Sequence, residues 1–259
     1  MFESKIDPTL FTLGPFEIRY YGLIYVIGFI ITYFMVSYLA KKRKLKITKE
    51  DVADLLFYIL IGLVAGARIF YIIFYGLKFY LANPLEMPAI WHGGLSFHGG
   101  LVGILIAGWI FCRIKKIKFY DLADIVVIPA AIGLGLGRIG NFINGEVYGR
   151  ITNLPWAVKF QNVEGYRHPS QFYESAKNFF IFGVLWILKD RKIPRGFIFW
   201  SFISMYGVIR FFIEFVKEPD GMFLGLTTGQ WLCIPMALIG TGMLIYLKRK
   251  DLNKKKSSR

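Results

Sequence analysis

Long apolar runs alternate with short basic clusters along the whole chain. Predominantly apolar stretches cover residues 18–40, 52–75, 96–112, 121–139, 172–188, 196–216 and 229–247. Several approach or exceed the ~18–20 residues that carry a helix across a bilayer, and the pattern predicts seven transmembrane helices. Lys41, Lys42, Arg43, Lys44 and Lys46 follow the first run, and Arg113, Lys115, Lys116 and Lys118 the third. Lys189, Arg191, Lys192 and Arg195 follow the fifth, and Lys248, Arg249 and Lys250 open a Lys-rich tail after the seventh. Cytoplasmic loops retain Lys and Arg, so these four ends are expected inside, with the N-terminus outside and the C-terminus cytoplasmic. No helix has to be inverted to satisfy this.

Between the runs, residues 1–17 hold Pro8, Gly14 and Pro15 and read as a short surface lead-in. Residues 76–95, with Pro84, Pro88 and Trp91, read as an outside loop. Residues 141–170 are too polar to span and are expected to form a small extracytoplasmic head or a loop lining a cavity. The tail is expected to be solvated or to touch anionic lipid. The fold class is therefore an all-α polytopic membrane protein, a bundle of about seven helices forming one domain over residues 1–259.

Composition supports this class. The 259 residues are 55% hydrophobic and 19% charged, against about 45–50% and about 25% in soluble domains. The net charge of +15 is the footprint of nucleic-acid binding in a soluble protein; here its clusters sit at alternate helix ends, and no nucleic-acid partner is expected. Cys112 and Cys233 fall near opposite membrane faces, so no disulfide is predicted. His92, His98 and His168 form no zinc-ligand spacing, and neither a metal nor a cofactor is expected. Lys5 precedes no short apolar core with a small-residue cleavage site, so no cleaved signal peptide is read. No internal repeat is evident, against a transporter built of repeated halves.

The polar residues inside the runs share a depth. Tyr21 lies in the first turn of the first helix and His98 at the outer start of the third. Arg138 lies near the outer end of the fourth. Arg68 sits ~24 Å and Arg210 ~21 Å from the inner face at 1.5 Å per residue, with Glu214 one turn beyond Arg210. The stretch GLGRIGNFINGEVYGR, residues 135–150, adds Asn141, Asn144, Glu146 and Arg150 at the same border. The inner halves of these helices carry no matching set, whereas a channel needs polar groups along its length. Each residue has a structural alternative. Arg210 and Glu214, four apart, neutralise each other; Arg68 finds an ion-pair partner; Arg138 snorkels; the glycines before it serve helix packing. The shared depth points instead to a site open to the outer leaflet.

Arginine is always charged and grips phosphate through paired donors, so a phospholipid head group is the natural ligand at that depth. The carboxylates are too few and scattered for two-metal phosphoester chemistry, and no GxSxG elbow is present. Direct displacement, with a base for the nucleophile and arginines on a departing phosphate, is the chemistry that remains. A lipid or small-anion transporter using the same arginines is the competing reading.

Six motifs carry a family resemblance: YYGLIYVIGF at 20–29, GARIFY at 66–71, HGGLSFHGG at 92–100, GRIGNFINGEVYG at 137–149, HPSQFYE at 168–174 and YGVIRFFIEFVKEPD at 206–220. In these, and over nearly its whole length, the chain resembles the prolipoprotein diacylglyceryl transferases, bacterial inner-membrane enzymes of lipoprotein biosynthesis. The resemblance implies transfer of the diacylglyceryl group of phosphatidylglycerol to the lipobox cysteine thiol of a prelipoprotein, with release of glycerol 1-phosphate. It implies a multi-pass protein of the cytoplasmic membrane whose active site faces the outer leaflet. Carried over residue by residue, it makes His98, Arg138, Glu146, Tyr206 and Arg210 catalytic. Arg138, Arg210, Tyr21, Asn141, Gly149 and Glu214 are then expected to bind phosphatidylglycerol. His98 is proposed to activate the thiol; a carboxylate, Glu146 or Glu214, or an arginine-assisted route is the alternative.

Overall fold

The structure, a computed structural model, describes residues 1–14, 16–219 and 221–257. Pro15 of the lead-in, Asp220 at the end of the sixth motif, and Ser258 and Arg259 of the tail lie outside the described residues. Among the described residues eight helices dominate: α1 Tyr20–Lys42, α2 Lys49–Tyr75, α3 Leu77–Ala82, α4 Phe97–Lys115, α5 Phe119–Ile143, α6 Ser170–Leu188, α7 Phe197–Ile213 and α8 Thr228–Ser257. Six short strands accompany them: β1 Phe2–Glu3, β2 Thr9–Leu13, β3 Phe16–Arg19, β4 Val158–Lys159, β5 Met222–Phe223 and β6 Leu226–Thr227. The chain forms two compact units, one of residues 33–123 and one of residues 1–32 with 124–259.

Among the described residues five helices, α1, α2, α4, α5 and α8, are long and apolar enough to cross a membrane. Their outward faces carry large apolar side chains such as Ile30, Phe34, Ile61, Phe74, Ile106 and Trp109, the exposed apolar surface that marks a lipid-facing protein. The two remaining predicted spans fall short for different reasons. Helix α7 is apolar but has 17 residues, about 26 Å at 1.5 Å per residue. Helix α6 opens with a buried polar face of Ser170, Gln171, Glu174, Ser175, Lys177 and Asn178.

Within the unit of residues 33–123, α2 and α4 meet along glycines. A methyl group added at Gly66 or Gly103 would overlap backbone of the opposite helix; only hydrogen at these positions lets the backbones approach so closely. Thr48 and Asp51 close a capping box at the start of α2, with Asp51 N–H to Thr48 Oγ1 at 3.2 Å and Thr48 N–H to Asp51 Oδ2 at 2.8 Å. That arrangement satisfies two orphan helix donors, and the Asp51 carboxylate also pairs with Lys115. The span 76–95, expected as a loop, contains α3 and two short 3-10 turns, Pro84–Glu86 and Ile90–His92. The organiser is Arg68. Its guanidinium donates to the carbonyls of Glu86 (2.6 Å), Met87 (2.8 Å), Ala89 (3.1 Å), Gly93 (2.5 Å) and Gly94 (3.1 Å). It also lies 4.9 Å from the centre of the Tyr80 ring.

In the other unit, α7 and α8 meet closely where Gly207 faces Met236 and Ala237 and Gly240 faces Ser204. The Ser204 and Thr241 hydroxyls hydrogen-bond at 2.8 Å. Asp124 of α5 caps α7 from outside, accepting the N–H groups of Gly196 (2.9 Å) and Phe199 (2.8 Å). Helix α5 continues to Ile143, past the predicted end at 139. The glycine-rich run stays helical because tertiary contacts outweigh its low propensity: Gly135 lies under the Phe179 ring and its carbonyl accepts from Ser175 Oγ at 3.0 Å. The region 144–169 is a small head. In it β1 pairs in parallel with β4, and Ile151 and Val158 both bridge to Arg167. Its core is Phe142, Val158 and Phe160, with Tyr148 and Val163 packed against them. The lead-in carries the antiparallel pair β2 and β3, and the Lys-rich tail continues α8 as helix as far as Ser257.

The glycine contact yields a direct test. Gly103→Val forces side-chain atoms into the Gly62 carbonyl and is expected to destabilise the protein by at least about 1–3 kcal/mol, read as a lower thermal midpoint of the detergent-purified protein. An unchanged midpoint would mean that α2 and α4 do not meet at Gly103.

Candidate functional site

The buried polar face of α6 is where the predicted site residues converge. Glu174, its side chain 1% exposed, is surrounded by three cations. Lys177 Nζ, three residues on in α6, lies 2.5 Å from Oε2. Arg138 Nε, from α5, lies 4.0 Å from the same oxygen, and Arg210 Nη1, from α7, lies 3.6 Å from Oε1. Helical spacing puts these groups on shared faces: Arg138 with Asn141 on α5, Glu174 with Lys177 on α6, and Tyr206 with Arg210 on α7.

Two arms extend from this centre. On the α7 side, Arg210 donates to Tyr206 Oη at 3.3 Å and pairs with Glu214 through Nη2 at 2.9 Å. Glu214 also faces Lys217 at 3.7 Å, accepts the Thr227 hydroxyl at 3.1 Å, and rests on Gly229 in the first turn of α8. On the α5 side, Arg138 donates to Asn141 Oδ1 at 3.3 Å, and Asn141 Nδ2 donates to Glu146 Oε1 at 2.8 Å. Asn144 reaches the same carboxylate oxygen at 3.2 Å. The Tyr21 ring lies against Gly140, and its hydroxyl meets that of Tyr25 at 3.0 Å.

Six predicted residues, Arg138, Asn141, Glu146, Tyr206, Arg210 and Glu214, thus form one connected network, with Tyr21 against the adjoining turn of α5. Gly149 joins it through backbone. Its N–H donates to the His168 carbonyl at 2.9 Å, it bridges to Lys217, and an added Cβ would overlap the Val216 carbonyl. His98 belongs to the other unit; it is exposed in the first turn of α4, behind the Ser96 cap and edge-on to Phe97. Arg68 is also in that unit; its role there is structural, but through backbone carbonyls and the Tyr80 ring and not through the expected ion pair.

The sequence reading missed Glu174, Lys177, Lys217 and Thr227. Glu174 ends the HPSQFYE motif, and the polar spacing 170, 171, 174, 175, 177, 178 on an otherwise apolar helix was the available signal. With them the charge balance becomes clear. Arg138, Arg210, Lys177 and Lys217 face Glu174 and Glu214, whereas Glu146 is held by the Asn141 and Asn144 amides and touches none of the four cations directly. Four cations against two carboxylates leave a positive surplus in a largely dehydrated place, where unpaired charge is costly. The arrangement offers guanidinium donors to an anion and a phenol beside them. In the head, Trp156 Nε1–H donates to Tyr173 Oη at 2.8 Å, and that hydroxyl lies 3.2 Å from His168 Nδ1. Burial pushes the His168 imidazole below its ordinary value, so it stays neutral at pH 7.

The chain matches a family model described as prolipoprotein diacylglyceryl transferase over residues 8–246. It is 48% identical to a phosphatidylglycerol–prolipoprotein diacylglyceryl transferase of Geobacter sulfurreducens, over 95% of this chain and 97% of that protein. It is 43% identical to the protein of the same name from Nitratidesulfovibrio vulgaris, over 93% and 94% of the two chains. The corresponding Coxiella burnetii protein is 41% identical over 93% and 95%.

The head makes a pH prediction. A histidine whose pKa is lowered by folding binds its proton more readily when unfolded, so its contribution is complete above the unfolded value and is lost as pH falls below about 6.5. Thermal midpoints measured from pH 7.5 to 5 are expected to drop more in the wild type than in His168→Asn. Parallel curves would show that His168 carries no linked proton.

Proposed function

The chain belongs to the prolipoprotein diacylglyceryl transferase family, and from that premise we propose that it transfers the diacylglyceryl group of phosphatidylglycerol to the lipobox cysteine thiol of a prelipoprotein, releasing glycerol 1-phosphate. The observation that carries the site assignment is the pair of guanidiniums, Arg138 and Arg210, held at 4.0 and 3.6 Å around one buried carboxylate within a surplus of positive charge. A phosphodiester anion balances that surplus, and the guanidiniums stabilise the phosphate as it departs from the glyceryl carbon. The thiol sulfur forms the new bond to that carbon, the carbon–oxygen bond to phosphate breaks, and the thiol proton passes to a base.

In this reading Tyr206 holds Arg210, and Asn141 and Glu146 hold Arg138. Tyr21, Asn141, Gly149 and Glu214 complete the lipid-binding surface, and His98 activates the thiol. The protein is one helical domain of seven spans in a bacterial cytoplasmic membrane, its N-terminus outside, its C-terminus cytoplasmic, and the site open to the outer leaflet. The positive-inside pattern supports this orientation. The short α7 and polar-faced α6 are accommodated because ionisable groups within a membrane face the bundle interior.

The reaction is tested with purified protein, phosphatidylglycerol and a lipobox peptide, with a chelator present. Mass spectrometry is expected to find the diacylglyceryl adduct together with glycerol 1-phosphate. A folded protein that binds lipid and forms no adduct would favour the transport reading. Arg138→Ala is expected to lower turnover at least ~100-fold, the scale of losing one preorganised donor to developing charge, while membrane insertion persists; full activity would remove Arg138 from the phosphate site. His98→Asn is expected to slow alkylation near neutral pH, with the deficit shrinking above pH about 8.5, where a free thiol ionises unaided. A pH-independent deficit would make His98 an orienting group only.

A further inference from the structure

Lys177 has no part in the mechanism above, yet it lies at its centre. Its side chain is 1% exposed. Nζ donates to Glu174 Oε2 at 2.5 Å and lies 3.7 Å from the centre of the Tyr206 ring. A long cation in such a place is costly to bury unless it is paired, and an apolar side chain would fill the same space at less cost. Its surroundings indicate what it does there.

The Glu174 carboxylate has three cations to choose from and hydrogen-bonds to one. Lys177 takes Oε2, while among the described residues Oε1 receives no hydrogen bond. Both arginines therefore stand at ion-pair distance, 4.0 and 3.6 Å, without being captured. A guanidinium has five donors. Among the described residues Arg138 donates a single hydrogen bond, to Asn141, and Arg210 is engaged only by Tyr206, Glu174 and Glu214. Tyr206 is itself braced from its face by Lys177.

We propose that Lys177 is a positioning residue of the transfer site: it occupies Glu174 and braces Tyr206, so that Arg138 and Arg210 are gathered by the carboxylate yet keep donors for a lipid phosphate. This rests on the proposed transferase reading. Without Lys177, Glu174 closes directly on the arginines through charge-assisted hydrogen bonds, and the phosphate must compete with it. Ground-state lipid binding suffers first. Removing the carboxylate as well removes the competitor, so the second substitution restores part of what the first took away. A residue that only fills space gives no such reversal.

The test compares the full-length wild type with Lys177→Met, Lys177→Arg and Lys177→Met/Glu174→Gln in mixed micelles of varied phosphatidylglycerol content. Lys177→Met is expected to raise KM at least tenfold with kcat within about threefold. Lys177→Arg, which keeps the charge, is expected within about threefold of wild-type KM, and the double variant at least threefold below Lys177→Met, its recovery partial because the group that gathers the arginines is lost along with the competitor. An unchanged KM in Lys177→Met overturns the proposal, as does an equal rise in Lys177→Arg or no recovery in the double variant. If Lys177→Met does not accumulate, Lys177→Gln, which also removes the charge, decides: a rise in KM of at least tenfold upholds the role and a KM within threefold of wild type rejects it. Dissociation constants for phosphatidylglycerol, measured on the same proteins without peptide, are expected to follow the same ratios. A wild type that binds lipid but forms no adduct counts against the transferase reading, while those ratios still decide the role of Lys177.

Discussion

The constraint on which the site depends is the repulsion between two guanidiniums brought together from different helices. A pair of unit charges about 4 Å apart is worth roughly 4 kcal/mol at an effective dielectric near 20, so a carboxylate 4.0 Å from one guanidinium and 3.6 Å from the other counters that repulsion with attractions of this size. Glu174 is that carboxylate, standing between Arg138 on α5 and Arg210 on α7. Its position on α6 gives that helix its polar buried face, and the same face keeps α6 from reading as a uniformly apolar span. The Asn141–Glu146 arm and the Tyr206–Glu214 arm then fix each guanidinium from its outer side.

Arg68 provides the internal control. It matches Arg210 in residue type and in depth along its helix, and nothing in the spacing of charges separates them. Their partners do. Arg68 directs its donors to five carbonyls of residues 86–94 and so folds a segment that otherwise reads as loop. Arg138 and Arg210 face side chains that take up only part of their donor capacity. A guanidinium saturated by backbone is structural; one held by charge with donors to spare is poised for a ligand.

The same contrast explains what could be read in advance. Hydropathy and basic clusters locate every long helix, because burial in lipid and retention of charge act on runs of residues whatever their tertiary neighbours. The motif residues of α5 and α7 were legible because a guanidinium in an apolar run demands an explanation by itself. Lys177 and Lys217 were not, since a lysine three residues after a glutamate reads as an ordinary local pair until folding brings the arginines to the same carboxylates. The segments 76–95 and 144–169 were opaque for a related reason. Their backbone is organised by contacts between residues far apart in sequence, Arg68 in one and the bridges to Arg167 and Lys217 with a small aromatic core in the other, and no local propensity encodes those contacts.

On the proposed reading, the positive surplus also lets the site take a phosphodiester without trapping it. Four cations around two carboxylates form an incomplete network whose desolvation has already been met by folding, so an arriving phosphodiester completes it instead of reorganising it, which is the preorganisation that makes charged sites effective. Complete neutralisation by additional glutamates would stabilise the empty protein and leave nothing for the ligand. Fewer carboxylates would leave the guanidiniums to splay apart. Glu174, shared by both arginines and occupied by Lys177, lies between these limits: enough negative charge to assemble the cradle, and too little to fill it.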